Sequence, residues 1–129
     1  MDGQGGGVGR SLIEAIHLKY PDAELVAVGT NAAATSNVMK GGTAAGVTGE
    51  NAVIYNSRRA DVIMGPIGIV MANAMLGEIT PRMAEAVASS DADILLIPMS
   101  HCSAQVMGVE SRKLGDYIRE AVEKIAEAI

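Results

Sequence analysis

The N-terminal stretch Asp2-Gly3-Gln4-Gly5-Gly6-Gly7-Val8-Gly9-Arg10 decides the fold, because a helical pattern from Ser11 to Tyr20 follows it directly. Glycine lets a backbone approach a ligand closely, and the first N–H groups of a helix have no partners within the helix. The positive end of the helix dipole also attracts an anion. The stretch therefore predicts that the loop from Gly3 to Arg10 holds a phosphate group.

The spacing of the glycines indicates which type of dinucleotide-binding loop the stretch resembles. The pattern Gly3-x-x-x-Gly7-x-Gly9 is the short-chain-dehydrogenase variant of the dinucleotide loop, and G-x-G-x-x-G is not met in any register. Such a loop follows a buried strand, yet only Met1 precedes Asp2. We expect a first strand that is missing or truncated, with its residues encoded upstream of Met1. The alternative is a flexible glycine-rich tail, against which the following helix argues.

The composition excludes several classes of function. A chain of 129 residues is expected to form one domain, residues 1–129. With a net charge of −5 and neither Phe nor Trp, it lacks the basic and aromatic surfaces that bind nucleic acid. The lone Cys102 excludes an internal disulfide framework and a cysteine-based zinc site. With no signal-peptide layout and no long apolar run, we expect a cytoplasmic protein without a membrane partner.

Hydrophobic runs alternate with helical patterns along the chain, which indicates an α/β protein with a mainly parallel sheet. The predicted architecture is a three-layer, Rossmann-like sandwich. Strands are predicted at Glu24–Val28, Ala44–Thr48, Ala60–Met64 and Asp93–Ile97, with an edge strand at Gln105–Val109. Further helices are predicted at Ala33–Lys40, Glu50–Arg59, Pro81–Ser89 and Lys113–Ile129, the third of them capped by Thr80.

The segment from Ile67 to Leu76 is apolar nearly all round. Such a segment predicts a buried helix or an oligomer contact. Because one layer of helices over a sheet shields only one face, the rest of this segment should meet either the predicted helix Pro81–Ser89 or a second subunit. We favour a homodimer, which the acidic net charge would keep soluble.

Four segments fall at predicted strand ends, where ligands bind in a doubly wound sheet. All are small, polar or contain glycine: Gly3 to Arg10, Gly29-Thr30-Asn31, Gly65-Pro66-Ile67-Gly68 and Ser100-His101-Cys102. The candidate ligand contacts beyond the first loop are Thr30, Asn31, Gly65, Pro66, Gly68 and Ser100. The alternative is that these glycines only end strands and begin helices.

Recognition of NAD and dehydrogenase chemistry are both disfavoured. A dinucleotide site carries an acidic residue about 20 residues beyond the loop, but Val28 is followed by Gly29, Thr30 and Asn31. No Tyr-x-x-x-Lys exists, and the nearest pattern ends in Arg59, which stays charged and cannot relay a proton. We therefore expect weak NAD binding and no dehydrogenase turnover of this type.

Other reactive side chains have simpler interpretations. His101 and Cys102 suggest an activated thiol, but adjacent residues on an extended segment point to opposite sides. Asp2 and Glu78 could supply a carboxylate to the crevice, although a cap or loop role is favoured.

With these segments in view, the chain resembles a small uncharacterised family of Rossmann-like proteins, a domain of unknown function seen mostly in anaerobic bacteria. The resemblance covers nearly the whole chain, and its most specific part is Met71 to Pro81. Members usually begin with a short hydrophobic strand before the aspartate, and many carry Cys where Ser57 stands here. The resemblance implies the fold and brings no activity.

Three functions follow as hypotheses. The leading one is binding of a nucleotide or another phosphate-bearing small ligand, the cofactor being a dinucleotide or a mononucleotide. The second is a small enzyme acting on a phosphorylated or dinucleotide substrate, with Ser100, Cys102, Asn31 or Asn73 as working groups. The third is a structural or regulatory homo-oligomer without ligand chemistry.

Overall fold

The computed structural model describes residues 1–99 and 104–128, which form an α/β fold of short parallel strands and helices. The strands are β1 (Val26–Gly29), β2 (Ala45–Thr48), β3 (Val62–Pro66) and β4 (Asp93–Ile97). The helices are α1 (Gly7–Lys19), α2 (Ala32–Met39), α3 (Glu50–Ser57), α4 (Pro81–Ala88) and α5 (Leu114–Ala128), with a 3₁₀ helix at Ile67–Val70. Within these ranges, no helix combines the length and the apolar character needed to cross a membrane.

The strands form two parallel pairs. β1 pairs with β2, with Val26 opposite Ala45, and β3 pairs with β4, with Val62 opposite Asp93. Parallel strands need a crossover between them, and here α2 connects the first pair while the 3₁₀ helix and α4 connect the second.

The first three residues lie between the two pairs. The Asp2 N–H donates to the Val28 carbonyl at 3.0 Å, and the Thr30 N–H donates to the Asp2 carbonyl at 3.1 Å, as in a parallel bridge. On the other side, the Met1 ammonium donates to the Met64 carbonyl at 2.8 Å. Residues 1–3 therefore connect β1 to β3 by hydrogen bonds.

Helices pack against both faces of the strands, because successive side chains in a strand point to opposite sides. On β3, Met64 packs in a cluster with residues of α1 and α5, whereas Ile63 packs in a cluster with residues of α3 and α4. On β1, Ala27 joins a third cluster with residues of α1 and α2, and Val28 joins the cluster of Ile63. The buried core is thus divided between the two faces.

Most predicted elements are confirmed, with shifts of a few residues at their ends. β4 has the predicted bounds, and α4 begins as predicted, with the Thr80 hydroxyl accepting from the Met83 N–H at 3.1 Å and Pro81 in the first turn. α1 begins at Gly7, four positions before the predicted Ser11. Its N-cap is Gly6, whose φ of 75° is a conformation that glycine adopts at little cost.

Two predicted elements are wrong. Ile67–Leu76 is a one-turn 3₁₀ helix followed by turns, in which Asn73, Met75 and Leu76 have positive φ values. Ile69 is fully buried and packs in a cluster with residues of α4, whereas Leu76 is fully exposed. The apolar helix from which the homodimer was predicted is therefore not formed. Gln105–Val109 forms no strand and contains a turn at Met107 and Gly108, where Gly108 has a left-handed φ of 85°.

We predict that Gly65→Ala destabilises the fold. Gly65 is buried in β3, and a Cβ on it would collide with the Met1 carbonyl oxygen. The substitution should therefore lower the free energy of unfolding by about 1–3 kcal/mol, measured by urea denaturation. Gly115→Ala in α5 is the control, since its Cβ would lie 4.0 Å from the nearest atom, Arg119 Nη1, and should leave stability equal or slightly higher. Equal stability of both variants would contradict the packing described for residues 1–3.

Candidate functional site

The glycine-rich loop joins residues 1–3 to helix α1. Gly6 caps the helix without a side-chain hydrogen bond, and no residue of the first turn is acidic. A Cβ on Gly6 would lie 2.6 Å from the Ala34 carbonyl oxygen, so α2 packs closely against the loop. The first turn of a helix carries N–H groups without intrahelical partners. The partners of these groups determine what the loop can bind.

The Asp2 carboxylate satisfies the inner N–H groups of the loop. Its Oδ1 accepts from the Gly3 N–H and its Oδ2 from the Gly9 N–H, each at 2.8 Å. Burial raises the pKa of the Asp2 carboxyl above its ordinary value, while the hydrogen bonds from Gly9 and Gly3 oppose this shift. An internal carboxylate thus already occupies the deep side of the α1 N-terminus, where the helix dipole favours negative charge.

Gly5 and Gly7 differ from the other glycines of the loop. Both are exposed, and no hydrogen-bond acceptor for their N–H groups is found among the described residues. A Cβ on either would meet nothing within 4 Å, whereas a Cβ on Gly9 would lie 2.8 Å from Val38 Cγ2. Packing therefore requires glycine at position 9 but not at positions 5 and 7.

Helix α2 fixes the outer side of the loop. The Asn37 amide Nδ2 donates to the Gly5 carbonyl at 2.8 Å. Arg10 in turn donates from Nη1 to Asn37 Oδ1 at 3.0 Å and from Nε to Glu14 Oε1 at 3.1 Å. Arg10 therefore brings a positive charge beside the exposed part of the loop.

Glu78 brings a second carboxylate to the loop. Its Oε1 accepts from the Gln4 N–H at 2.9 Å, the Thr30 hydroxyl at 2.7 Å and the Asn31 amide at 2.9 Å. These hydrogen bonds, that of Thr30 first, lower the pKa of the Glu78 carboxyl below its ordinary value. Glu78 is thus ionised at neutral pH and lies between the glycine-rich loop and the end of β1.

The segment that carries Glu78, residues 71–79, we call the 71–79 loop. Asn73, Met75 and Leu76 have φ values of 66°, 58° and 58°, a conformation that costs about 1–2 kcal/mol per non-glycine residue. Met75 Sδ lies 2.6 Å from the position of a Cβ on Gly3, and Met75 Cε lies 3.5 Å from that on Gly68. The 71–79 loop therefore packs against Gly3 and the 3₁₀ helix.

The structure brings together only part of the predicted site. Gly3 to Arg10, Thr30 and Asn31 lie together. Gly65, Pro66 and Gly68 are buried. Glycine at position 65 makes room for the Met1 carbonyl, whereas a Cβ on Gly68 would make only ordinary contacts with Ala74 and Met75. Ser100, His101 and Cys102 lie outside the described residues.

Sequence reasoning missed three features of the site. The sequence patterns do not indicate Asn37 or Met75, and they favour a cap or loop role for Glu78. The contact of Glu78 with Thr30 joins residues 48 positions apart, which no local pattern encodes.

Two clefts lie away from the glycine-rich loop. One, of about 490 Å³, lies between β4, residues 108–112 and α5. The other, of about 240 Å³, lies between α3 and α4. Neither is lined by residues of the loop, whose crevice is filled by Met75 and Glu78.

The whole chain, residues 1–129, matches the family described as a domain of unknown function (DUF3842), and the protein belongs to that family. No curated protein and no solved structure matches the sequence. The resemblance drawn from the sequence segments is thereby confirmed, and the anaerobic bacterial origin stays a prediction. Since the family brings no activity, a function must be argued from the site.

We predict that Glu78→Gln removes a pH-dependent contribution to stability. The carboxylate has a lower pKa in the folded protein than in the unfolded chain, where it is about 4.3. Its stabilisation is therefore fully present above the unfolded pKa and is lost as pH falls through the folded pKa. The difference in free energy of unfolding between the parent and Glu78→Gln should stay constant near neutral pH and shrink below about pH 4.3.

Denaturation curves at a series of pH values measure this difference. Glu85 lies on the exposed face of α4, away from the glycine-rich loop. Glu85→Gln removes one negative charge there and serves as the control. A difference that is independent of pH would show that the three donors do not favour the ionised Glu78.

Proposed function

We propose that the protein binds a nucleotide or another small ligand bearing a phosphate group, with the loop from Gly3 to Arg10 as the phosphate site. One observation carries the proposal: Gly5 and Gly7 are exposed residues, and their N–H groups have no acceptor among the described residues. They lie at the N-terminus of α1, a helix of 13 residues whose dipole attracts an anion.

The empty space around Gly5 and Gly7 supports the same conclusion. Because nothing beyond the adjacent residues and the helix's own backbone lies within 4 Å of a Cβ at either position, packing does not explain glycine there. Close approach by a group from outside the chain does explain it, since a phosphate on backbone N–H groups leaves no room for side chains. The Arg10 guanidinium supplies the nearby positive charge.

We further propose that the two strand pairs and residues 1–3 form one layer of a Rossmann-like, three-layer sandwich. The strand order would be β2, β1, residues 1–3, β3 and β4. Hydrogen bonds of Met1 and Asp2 on both sides support this order, as does the division of the core between two faces. In such a fold ligands bind where the strand order reverses, which here lies beside the glycine-rich loop.

The ligand need not be NAD. The acidic residue near the end of β1 is Glu78, which comes from a different loop and uses Oε1 for three internal hydrogen bonds. Weak NAD binding, an enzymatic reaction, a homodimer and a cytoplasmic location all stay predictions.

We predict that Gly5→Val and Gly7→Val each weaken ADP binding by about tenfold or more, measured by titration calorimetry. A branched side chain at either position blocks approach to the N–H groups, and a hydrogen bond to a charged group contributes about 1.5–3 kcal/mol. The melting temperature should stay near that of the parent, because both positions face open space. Native mass spectrometry of gently purified protein should also show a phosphate-bearing small molecule.

Gly115→Val, an exposed glycine in the first turn of α5, is the matched control and should bind ADP like the parent. Gly9→Val is unsuitable as a test, since its side chain would collide with Val38 and Asp2 and disturb the fold. Equal affinity in the parent, Gly5→Val and Gly7→Val would refute the proposed site. So would a parent protein that neither binds ADP nor retains a phosphate-bearing molecule.

A further inference from the structure

Three donors from separate parts of the chain meet on one oxygen atom, Glu78 Oε1. They are the Gln4 N–H at 2.9 Å, the Thr30 hydroxyl at 2.7 Å and the Asn31 amide at 2.9 Å. Converging donors of this kind hold carboxylate and phosphate oxygens alike, because both carry negative charge and accept several hydrogen bonds. The cluster is therefore an anion subsite, and in this structure its anion is the protein's own carboxylate.

The three donors are held in place without Glu78. The Asn31 amide also donates to the Gln4 carbonyl at 3.1 Å, and Asn31 Oδ1 accepts from the Ala34 N–H at 2.8 Å. Thr30 is fixed through its own N–H, which donates to the Asp2 carbonyl at 3.1 Å. The subsite is thus preorganised by β1, α2 and residues 1–3.

Glu78, in contrast, is carried by a strained segment. Asn73, Met75 and Leu76 adopt left-handed φ values, and Leu76 at the tip is fully exposed and adds no packing. Strain of this kind persists where surrounding contacts hold it and is common in segments that switch between states. The hydrogen bonds of Glu78 and the packing of Met75 against Gly3 hold this loop closed.

The charge of Glu78 conflicts with a ligand on the neighbouring N–H group. Gln4 and Gly5 are consecutive, so a phosphate bound by the Gly5 N–H would lie close to the ionised Glu78 carboxylate. Two negative charges at such a distance repel each other. The site therefore does not hold the phosphate and the Glu78 carboxylate at the same time while the 71–79 loop is closed.

We propose that Glu78 occupies the position of a ligand phosphate oxygen, and that the ligand displaces it from Gln4, Thr30 and Asn31 as the 71–79 loop opens. This inference rests on the proposed phosphate-binding function and adds a second phosphate contact and a conformational change to it. In an alternative role, Glu78 Oε2 accepts hydrogen bonds from hydroxyl groups of the ligand. The 71–79 loop would then stay closed, and removing the carboxylate would weaken binding.

The test uses inorganic pyrophosphate as the probe, with affinities from titration calorimetry. Glu78→Ala should bind pyrophosphate about tenfold more tightly than the parent, because the competing internal anion is gone. Glu78→Gln should show a smaller gain, since the amide oxygen still accepts but carries no charge. Glu85→Ala, which removes an exposed charge of α4, should leave the affinity unchanged.

Hydrogen–deuterium exchange gives a readout of the loop itself. The N–H groups of Asn73, Gly77 and Ile79 are hydrogen-bonded within the 71–79 loop. They should exchange faster in the parent saturated with pyrophosphate, and also in Glu78→Ala without it. Unchanged exchange in the saturated parent overturns the inference, even if Glu78→Ala proves too unstable to study.

The affinities separate failure of this inference from failure of the proposed function. If Gly7→Val weakens binding while Glu78→Ala binds equally or more weakly than the parent, the phosphate site stands and the displacement of Glu78 is wrong. If the parent, Glu78→Ala and Glu78→Gln all fail to bind both pyrophosphate and ADP, the phosphate site itself is wrong and the inference fails with it.

Discussion

The hydrogen bonds of Met1 and Asp2 are the constraint on which the rest of this structure depends. Backbone groups of Asp2 bond to β1, and the Met1 ammonium bonds to β3, so two short strand pairs become connected. The Asp2 side chain then reaches the first turn of α1 and fixes where the glycine-rich loop lies. Burial lowers the pKa of the Met1 amino group, and the Asp2 carboxylate partly offsets that cost. Three residues thus determine both the join between the strand pairs and the geometry of the loop.

This constraint divides the N–H groups of the loop into two sets. The inner set, Gly3 and Gly9, is used by Asp2, and the Gln4 N–H is used by Glu78. The outer set, Gly5 and Gly7, has no acceptor among the described residues. A chain with a net charge of −5 and two carboxylates at its loop has no general attraction for anions. Selective binding would therefore depend on local N–H groups and Arg10.

The parts of the fold that local physics determines could be predicted from the sequence. The run Asp93–Ile97 is apolar enough to indicate a buried strand, and Thr80-Pro81 combines two preferences for a helix start. The sequence predicts a later start for α1 because glycine disfavours helices, whereas the hydrogen bond from the Gly9 N–H to the Asp2 carboxylate stabilises the first turn. Apolar content at Ile67–Leu76 could not distinguish a helix from a strained turn that is packed against Gly3 and Gly68.

Only the outline of the site could be predicted, because its details depend on contacts between residues that are far apart in the sequence. The glycine cluster and the end of β1 are visible as patterns, and the structure brings both together. The packing of α2 and residues 1–3 decides which glycines are needed for close contact and which face open space. These elements lie beside the loop only in the folded chain. Glu78 reaches Thr30 across 48 residues of sequence through a loop with left-handed backbone at three non-glycine positions. The residue types at Met75 and Leu76 do not indicate a left-handed backbone, so the sequence does not predict these conformations.

The central claim is that the chain fills the inner N–H groups of its glycine-rich loop and leaves Gly5 and Gly7 for a phosphate. A ¹H–¹⁵N NMR titration of the whole protein with ADP tests this claim most directly, because each glycine amide gives its own signal. The account predicts large, saturable shifts for Gly5 and Gly7 and a small shift for Gly9, which stays bonded to Asp2. Shifts that are absent throughout the loop, or as large at Gly9 as at Gly7, would contradict it.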